Sequence, residues 1–175
     1  ICSLNVRGLS NNTKRKETFL WLKKKKNFLI FLLQEVHCTK EREPYWYSEW
    51  GYSTIFTTFS SSRAGVAILF KNNFQFQILR HFADPEGRFI SADIDTRDKI
   101  MTLVNVYAPD EDNPAFFRNV RDKLCSFECD FIVLGGDFNL VCDVLRGEGK
   151  TLRSNAGLDF FLISLSLCPE IAKAD

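Results

Sequence analysis

Histidine is scarce in this chain, net charge is close to nil, and no apolar run is long. The 175 residues include two histidines, His37 and His81, and six cysteines. No two cysteines form a Cys-x-x-Cys pair, and none has a His or Cys partner at zinc-ligand spacing, which argues against a zinc site. Cys2, Cys38, Cys125, Cys129, Cys142 and Cys168 therefore read as reduced thiols of an intracellular protein. The one suggestive spacing is Cys125 with Cys129, which could share a helix face. No apolar stretch approaches the ~18 residues of a membrane span. The longest, 28–33, runs straight into Gln34 and Glu35. A secretory leader is not recognisable at the front, where Ile1 and its neighbours already read as a strand. The chain is expected to be cut from something longer.

Charge of one sign is also lacking. Twenty-three Lys and Arg face 22 Asp and Glu, for a net +1, so the global field gives no argument for a nucleic-acid partner. The distribution is uneven, however. Lys14, Arg15, Lys16 and Lys23 to Lys26 place seven positive charges near the front. Such a run is either a solvated helix face or a patch that contacts phosphates, and the two readings weigh equally. At 45 % hydrophobic and 26 % charged residues, 1–175 is expected to form a single globular domain.

Residues 1–6 alternate and predict a short strand. The turn at 8–12 offers Ser10, Asn11 or Asn12 as the cap of a helix over 13–25, with Phe19 and Leu22 inward. The continuous apolar run 28–33 suits a strand covered on both faces. Residues 39–51 read as a helix or loop. Strands are predicted at 52–57, 65–70, 74–80, 89–95 and 99–107, with a turn at 84–87. A helix follows over 114–127, spaced by Phe117, Val120 and Leu124. A strand is predicted at 131–134 and a last helix at 158–167, ended by Pro169. This order predicts mixed sheets packed against helices, two of them face to face.

Three polar side chains share one situation. Asn5, Glu35 and Asp137 each stand where a predicted strand ends, and open α/β sheets build their sites at such ends. Two carboxylates and an amide oxygen make a hard, all-oxygen environment, suited to Mg²⁺ or Mn²⁺. Gly135 and Gly136 would let the backbone turn sharply or approach a ligand closely, and Asn139 could bond a phosphate oxygen or the attacking water. Any one of these residues alone is more often a turn or cap residue, and His37 alone reads as a loop residue. Their joint placement is what points to chemistry.

The segments "SLNVRGL", "FLLQEVH", "SRAGVAILF", "NVYAPD" and "VLGGDFN" occur in that order. Together they resemble the endonuclease/exonuclease/phosphatase superfamily, most of all the apurinic-type endonuclease domain of LINE-type, non-LTR retrotransposons. The resemblance implies an α+β, four-layer αββα sandwich: two mixed β-sheets face to face, flanked by helices. It implies Mg²⁺- or Mn²⁺-dependent nicking of DNA, leaving a 3′-hydroxyl that primes reverse transcription. By the same resemblance Glu35 is a metal ligand and Asn5 helps hold the metal. Tyr107 stands near the scissile phosphate, Asp137 orients or deprotonates the attacking water, and Asn139 supports the transition-state oxygens. Asp110 falls at a DNA-contacting position, joined by Lys14, Arg15 and Lys16 of the basic run. DNA as partner, a reverse transcriptase further along the polypeptide and a nuclear location follow from the likeness.

The sequence departs from the family pattern towards its end. A Ser-Asp-His-type ending is usual there, and "CPEIAKAD" does not supply it. The domain is therefore expected to lack its C-terminal part. Two other readings stand beside the nuclease: a catalytically dead remnant that binds DNA or protein, and an abasic-site repair nuclease or small-molecule phosphatase of the same superfamily.

Overall fold

The computed structural model describes residues 1–111, 113–126 and 131–139, and the backbone of 142–146, 150–154 and 160–164. Cys129, Cys168, Pro169 and the residues after 164 lie outside it. Among the described residues the order is β1 (Cys2–Asn5), α1 (Asn12–Lys24), β2 (Ile30–Gln34), a 3-10 turn (Lys40–Arg42), α2 (Glu43–Trp50), β3 (Thr54–Thr57) and β4 (Val66–Phe70). Then come β5 (Gln77–Ala83), β6 (Phe89–Asp95), β7 (Ile100–Tyr107), α3 (Pro114–Cys125), β8 (Phe131–Asp137), β9 (Cys142–Arg146), β10 (Lys150–Ser154) and β11 (Phe160–Ser164).

One sheet has the order β1-β2-β4-β3 and the other β11-β8-β7-β6-β5, with β9 and β10 paired as a hairpin. Both larger sheets are mixed: β1 with β2 and β7 with β8 are parallel, and the remaining pairs antiparallel. Strand alternation explains the layers. Phe31, Leu33, Ala67 and Leu69 point to α1 and α2, where they pack with Phe19, Leu22, Trp46 and Trp50. Their neighbours Ile30, Leu32, Val66, Ile68 and Phe70 point the other way and meet Ile90, Ala92, Ile94, Leu103 and Val133 of the second sheet. The far side of that sheet presents Phe89, Val104, Val106, Ile132 and Leu134 to Val120 of α3. Three apolar interfaces between four layers give the αββα sandwich. They also explain the unbroken apolar runs, whose residues are buried on both faces.

Three expectations are corrected. The first β5 residues were expected at 74, but Phe74 and Phe76 instead stack on Phe70, with Phe76 at 4.1 Å between centroids, and the strand starts at Gln77. The expected helix over 158–167 is β11, because 160–164 pairs antiparallel with β8, Phe160 beside Gly135; a short apolar run serves either element and the waiting sheet decides. Gly135 and Gly136 continue β8 rather than turning. The Cys125–Cys129 spacing lies outside the described residues, which include Cys125 at the end of α3 but not Cys129.

A polar bridge crosses the apolar space between the sheets. Asn105 on β7 donates from Nδ2 to the carbonyls of Leu33 (2.9 Å) and Ala67 (2.8 Å). Its Oδ1 accepts from Gln34 Nε2 at 2.7 Å, and both residues are buried. This bridge ties β2 and β4 to β7 one residue before Glu35 and two before Tyr107. Asn105→Ala removes three hydrogen bonds that join the sheets through a dry core, while Gln34 Nε2 keeps Ser3 Oγ and Leu32 O, so it should cost about 2–4 kcal/mol in urea unfolding. A shift below ~0.5 kcal/mol would show the bridge to be idle.

Candidate active site

Pairing registers deliver the site. β1 lies parallel to β2 with Asn5 beside Gln34, and β7 lies parallel to β8 with Tyr107 beside Asp137. Parallel strands end on the same side, so four ends meet at one pole of the sandwich. There Asn5 Nδ2 donates to Glu35 Oε1 and to Asp137 Oδ2, each at 2.8 Å. Asn5 Oδ1 faces away and accepts the Arg7 N–H at 2.9 Å. The amide thus presents its nitrogen, not the expected oxygen, to the carboxylates.

Burial, followed by the charges of Glu35 and Asp110 and by a hydroxyl–carboxylate interaction with Glu35, pushes the Tyr107 pKa up to about 12. The hydroxyl remains a proton donor across the neutral range. The Arg88 guanidinium lies 4.9 Å from the Tyr107 ring centre. Asn139 caps the opposite side: its N–H donates to Asp137 Oδ1 at 3.1 Å, and its Nδ2 donates to Ala108 O at 2.7 Å and Asp110 Oδ1 at 3.0 Å. Asp110, exposed at this edge, thus also holds Asn139 in place.

Backbone strain collects here. Arg7, Glu35, His37, Ala64 and Asn139 all have φ between +47° and +56°, and Arg97 is the only other described non-glycine at positive φ. Each costs on the order of 1 kcal/mol and persists only where surroundings enforce it. The kink at Glu35 turns its side chain from the sheet into the pole, and its carbonyl accepts from Gly8 N–H at 2.7 Å. Gly8 must be glycine, since a Cβ there would stand 2.6 Å from His37 Nδ1. His37 Nε2 lies 3.8 Å from Glu35 Oε2; burial draws its pKa down, against the opposing pull of Glu35.

The basic residues divide. Lys14 Nζ donates to the carbonyls of Val6 and Arg7, both at 2.8 Å, fastening the loop after Asn5. Arg15 is buried and grips Glu49 through Nε and Nη2, at 2.6 and 2.9 Å, with a further bond to Leu9 O. Its expected DNA contact is corrected: the guanidinium belongs to the α1–α2 interface. Lys16 is exposed on α1.

A model of the Endonuclease/Exonuclease/phosphatase family matches residues 2–169. The chain belongs to this family. It is 28 % identical over 146 residues to the Transposon TX1 uncharacterized 149 kDa protein of Xenopus laevis, covering 82 % of this chain and 11 % of that protein. Among solved structures it resembles the 3′ phosphatase NExo from Neisseria bound to a product DNA hairpin: 22 % identity, TM-score 0.58, 80 % of this chain and 57 % of that one. It also resembles an AP endonuclease from Archaeoglobus fulgidus: 21 % identity, TM-score 0.57, 79 % of this chain and 56 % of that one. The chain thus spans little more than half of these solved chains, whose likeness establishes the shared fold.

The residues at the pole fit a hard divalent cation. Glu35 and Asp137 converge on one point, and magnesium takes only one or two carboxylates, filling its shell with water and phosphate oxygens. Within the described residues no group of three His, Cys, Asp or Glu gathers as a denser metal cage would require. Sequence reasoning missed Arg88, which follows an ordinary turn, and assigned His37 to a loop. No local pattern marks Arg88, and a single histidine two residues after Glu35 gave no signal that it would face that carboxylate.

Proposed function

We propose that this chain is the catalytic domain of a Mg²⁺- or Mn²⁺-dependent DNA endonuclease that nicks target DNA for a LINE-type retroelement. The observation that carries the reading is the convergence of Asn5, Glu35 and Asp137, each from a different strand, at 2.8 Å. The family and the transposon relative supply its context. A divalent ion held by Glu35, with Asn5 beside it, would supply positive charge to the phosphate oxygens. Asp137, oriented by Asn5 and by the Asn139 N–H, accepts the proton of the attacking water. That water attacks phosphorus as the bond to the 3′ oxygen breaks. Tyr107 and Asn139 border the place where charge develops in the transition state, and a phosphate oxygen there would draw the Tyr107 hydroxyl from Glu35 and an Asn139 N–H from Asp110. The domain works in the nucleus, in one polypeptide with a reverse transcriptase.

A second reading has one observation in its favour. The Asn5 nitrogen lies between the two carboxylates, where it satisfies them without a cation. A binding module would need nothing more. Nicking of supercoiled plasmid in magnesium buffer separates the two. The nuclease should convert plasmid to open circles, and Asp137→Ala should slow this about 10²–10⁴-fold. Equal rates in both proteins would remove the proposed role, whereas a wild-type chain that binds DNA without nicking it would establish the second reading.

A further inference from the structure

A second concentration of charge lies at the opposite pole. There a cavity of about 420 Å³ is lined by Lys23, Lys26, Tyr52, Lys71, Asn72 and Asn73, with no acidic residue. Lys71 follows β4, and its N–H bonds Leu29 O at the start of β2. From Leu29 to Glu35 the strand rises ~3.3 Å per residue, which puts the cavity ~20 Å from the carboxylates.

The lysines there lack counter-ions. Lys71 is only 9 % exposed, and its ammonium donates to Lys25 O while lying 5.9 Å from the Phe31 ring centre. Lys23 donates to Glu49 O at 3.1 Å and sits over the rings of Trp50 and Tyr52. No ion pair among the described residues includes either of them, or Lys24, Lys25 or Lys26. The carbonyl end of α1 offsets part of this charge, but a helix terminus amounts to only about half a unit. Five ammonium groups against half a negative charge leave a large surplus, and an ammonium spends only one of its three donors on a carbonyl.

We infer that this pole is a second binding site for the phosphate backbone of a nucleic-acid strand, remote from the scissile bond. One small phosphate would neutralise too little of the charge. A strand brings a phosphate every few ångströms, and Trp21, half exposed under Lys25 at 4.3 Å, offers its bases a ring to stack on. The inference rests on the reading of the chain as a protein that acts on nucleic acid.

The test is Lys24→Glu with Lys26→Glu, two exposed positions, assayed for binding a fluorescent oligonucleotide in EDTA across a salt series. Circular dichroism and the thermal midpoint verify the fold. Affinity should fall tenfold or more, and the log–log salt slope should shrink by about 2, one for each lost phosphate contact. An unchanged affinity and slope would overturn the site. So would displacement of the oligonucleotide by inorganic phosphate or phosphatidylserine vesicles at matched phosphate concentration. The nicking assay is read separately: a chain that never nicks but loses oligonucleotide binding in the variant keeps this site and loses the proposed reaction.

Discussion

Glu35→Gln should lower the plasmid-nicking rate about 10³-fold, roughly 4 kcal/mol of transition-state stabilisation, while leaving the thermal midpoint within a few degrees of wild type. The substitution keeps the size of the side chain and an oxygen that can accept from Asn5 Nδ2 and from Tyr107. What it removes is the negative charge that would hold a divalent ion. Little stability rides on that charge. The Glu35 side chain is 25 % exposed, and its one basic neighbour is His37 at 3.8 Å, whose protonation burial opposes. The strained backbone at Glu35 is equally strained with glutamine, so the fold has no new cost to absorb. Activity and stability should therefore separate. A variant that nicks as fast as wild type would mean that cleavage does not depend on a metal at this pole.

Much of the architecture was legible because burial writes a pattern. β2 and β4 carry unbroken apolar runs, and both turn out to be interior strands with helices on one side and a sheet on the other. The meeting of Asn5, Glu35 and Asp137 was legible for the related reason that strands ending side by side must bring their last residues together. What a linear pattern does not carry is direction around an element. Arg15 sits in a run of three basic residues, yet on a helix it lies four residues before Phe19, on the same buried stripe, where Glu49 meets it. The positive φ at Glu35 was hidden as well, because glutamate does not announce a left-handed backbone, whereas asparagine, as at Asn139, adopts it several-fold more often than most residues. β11 was misjudged for want of its partner: four apolar residues and a serine become a strand only when β8 offers an open edge.

Gly136→Ala tests the most confined glycine among the described residues, and it should prevent the chain from accumulating as folded protein. Gly136 has φ +144°, and a Cβ there would lie 1.9 Å from Val106 O and 2.7 Å from Val106 C and N. None of these atoms belongs to a flexible side chain. They are the backbone of β7, paired to β8 in register, Val106 beside Gly136 and Tyr107 beside Asp137. Relieving the overlap requires the strands to part at the two positions that carry the site. Gly51→Ala provides the contrast. Gly51 also has positive φ, +78°, but the nearest atom to its Cβ would be Ser48 O at 3.9 Å, ordinary contact at a helix end. There the loss should be about 1 kcal/mol, the ordinary penalty for a non-glycine residue in the left-handed region. At Gly136 the same residue change adds a backbone collision, and about 4 kcal/mol or more is expected, a large part of a typical domain's stability. Soluble yield and the urea midpoint of the two variants measure the difference. If Gly136→Ala unfolds at the same urea concentration as Gly51→Ala, then β7 and β8 do not approach as described, and Tyr107 and Asp137 are not held side by side.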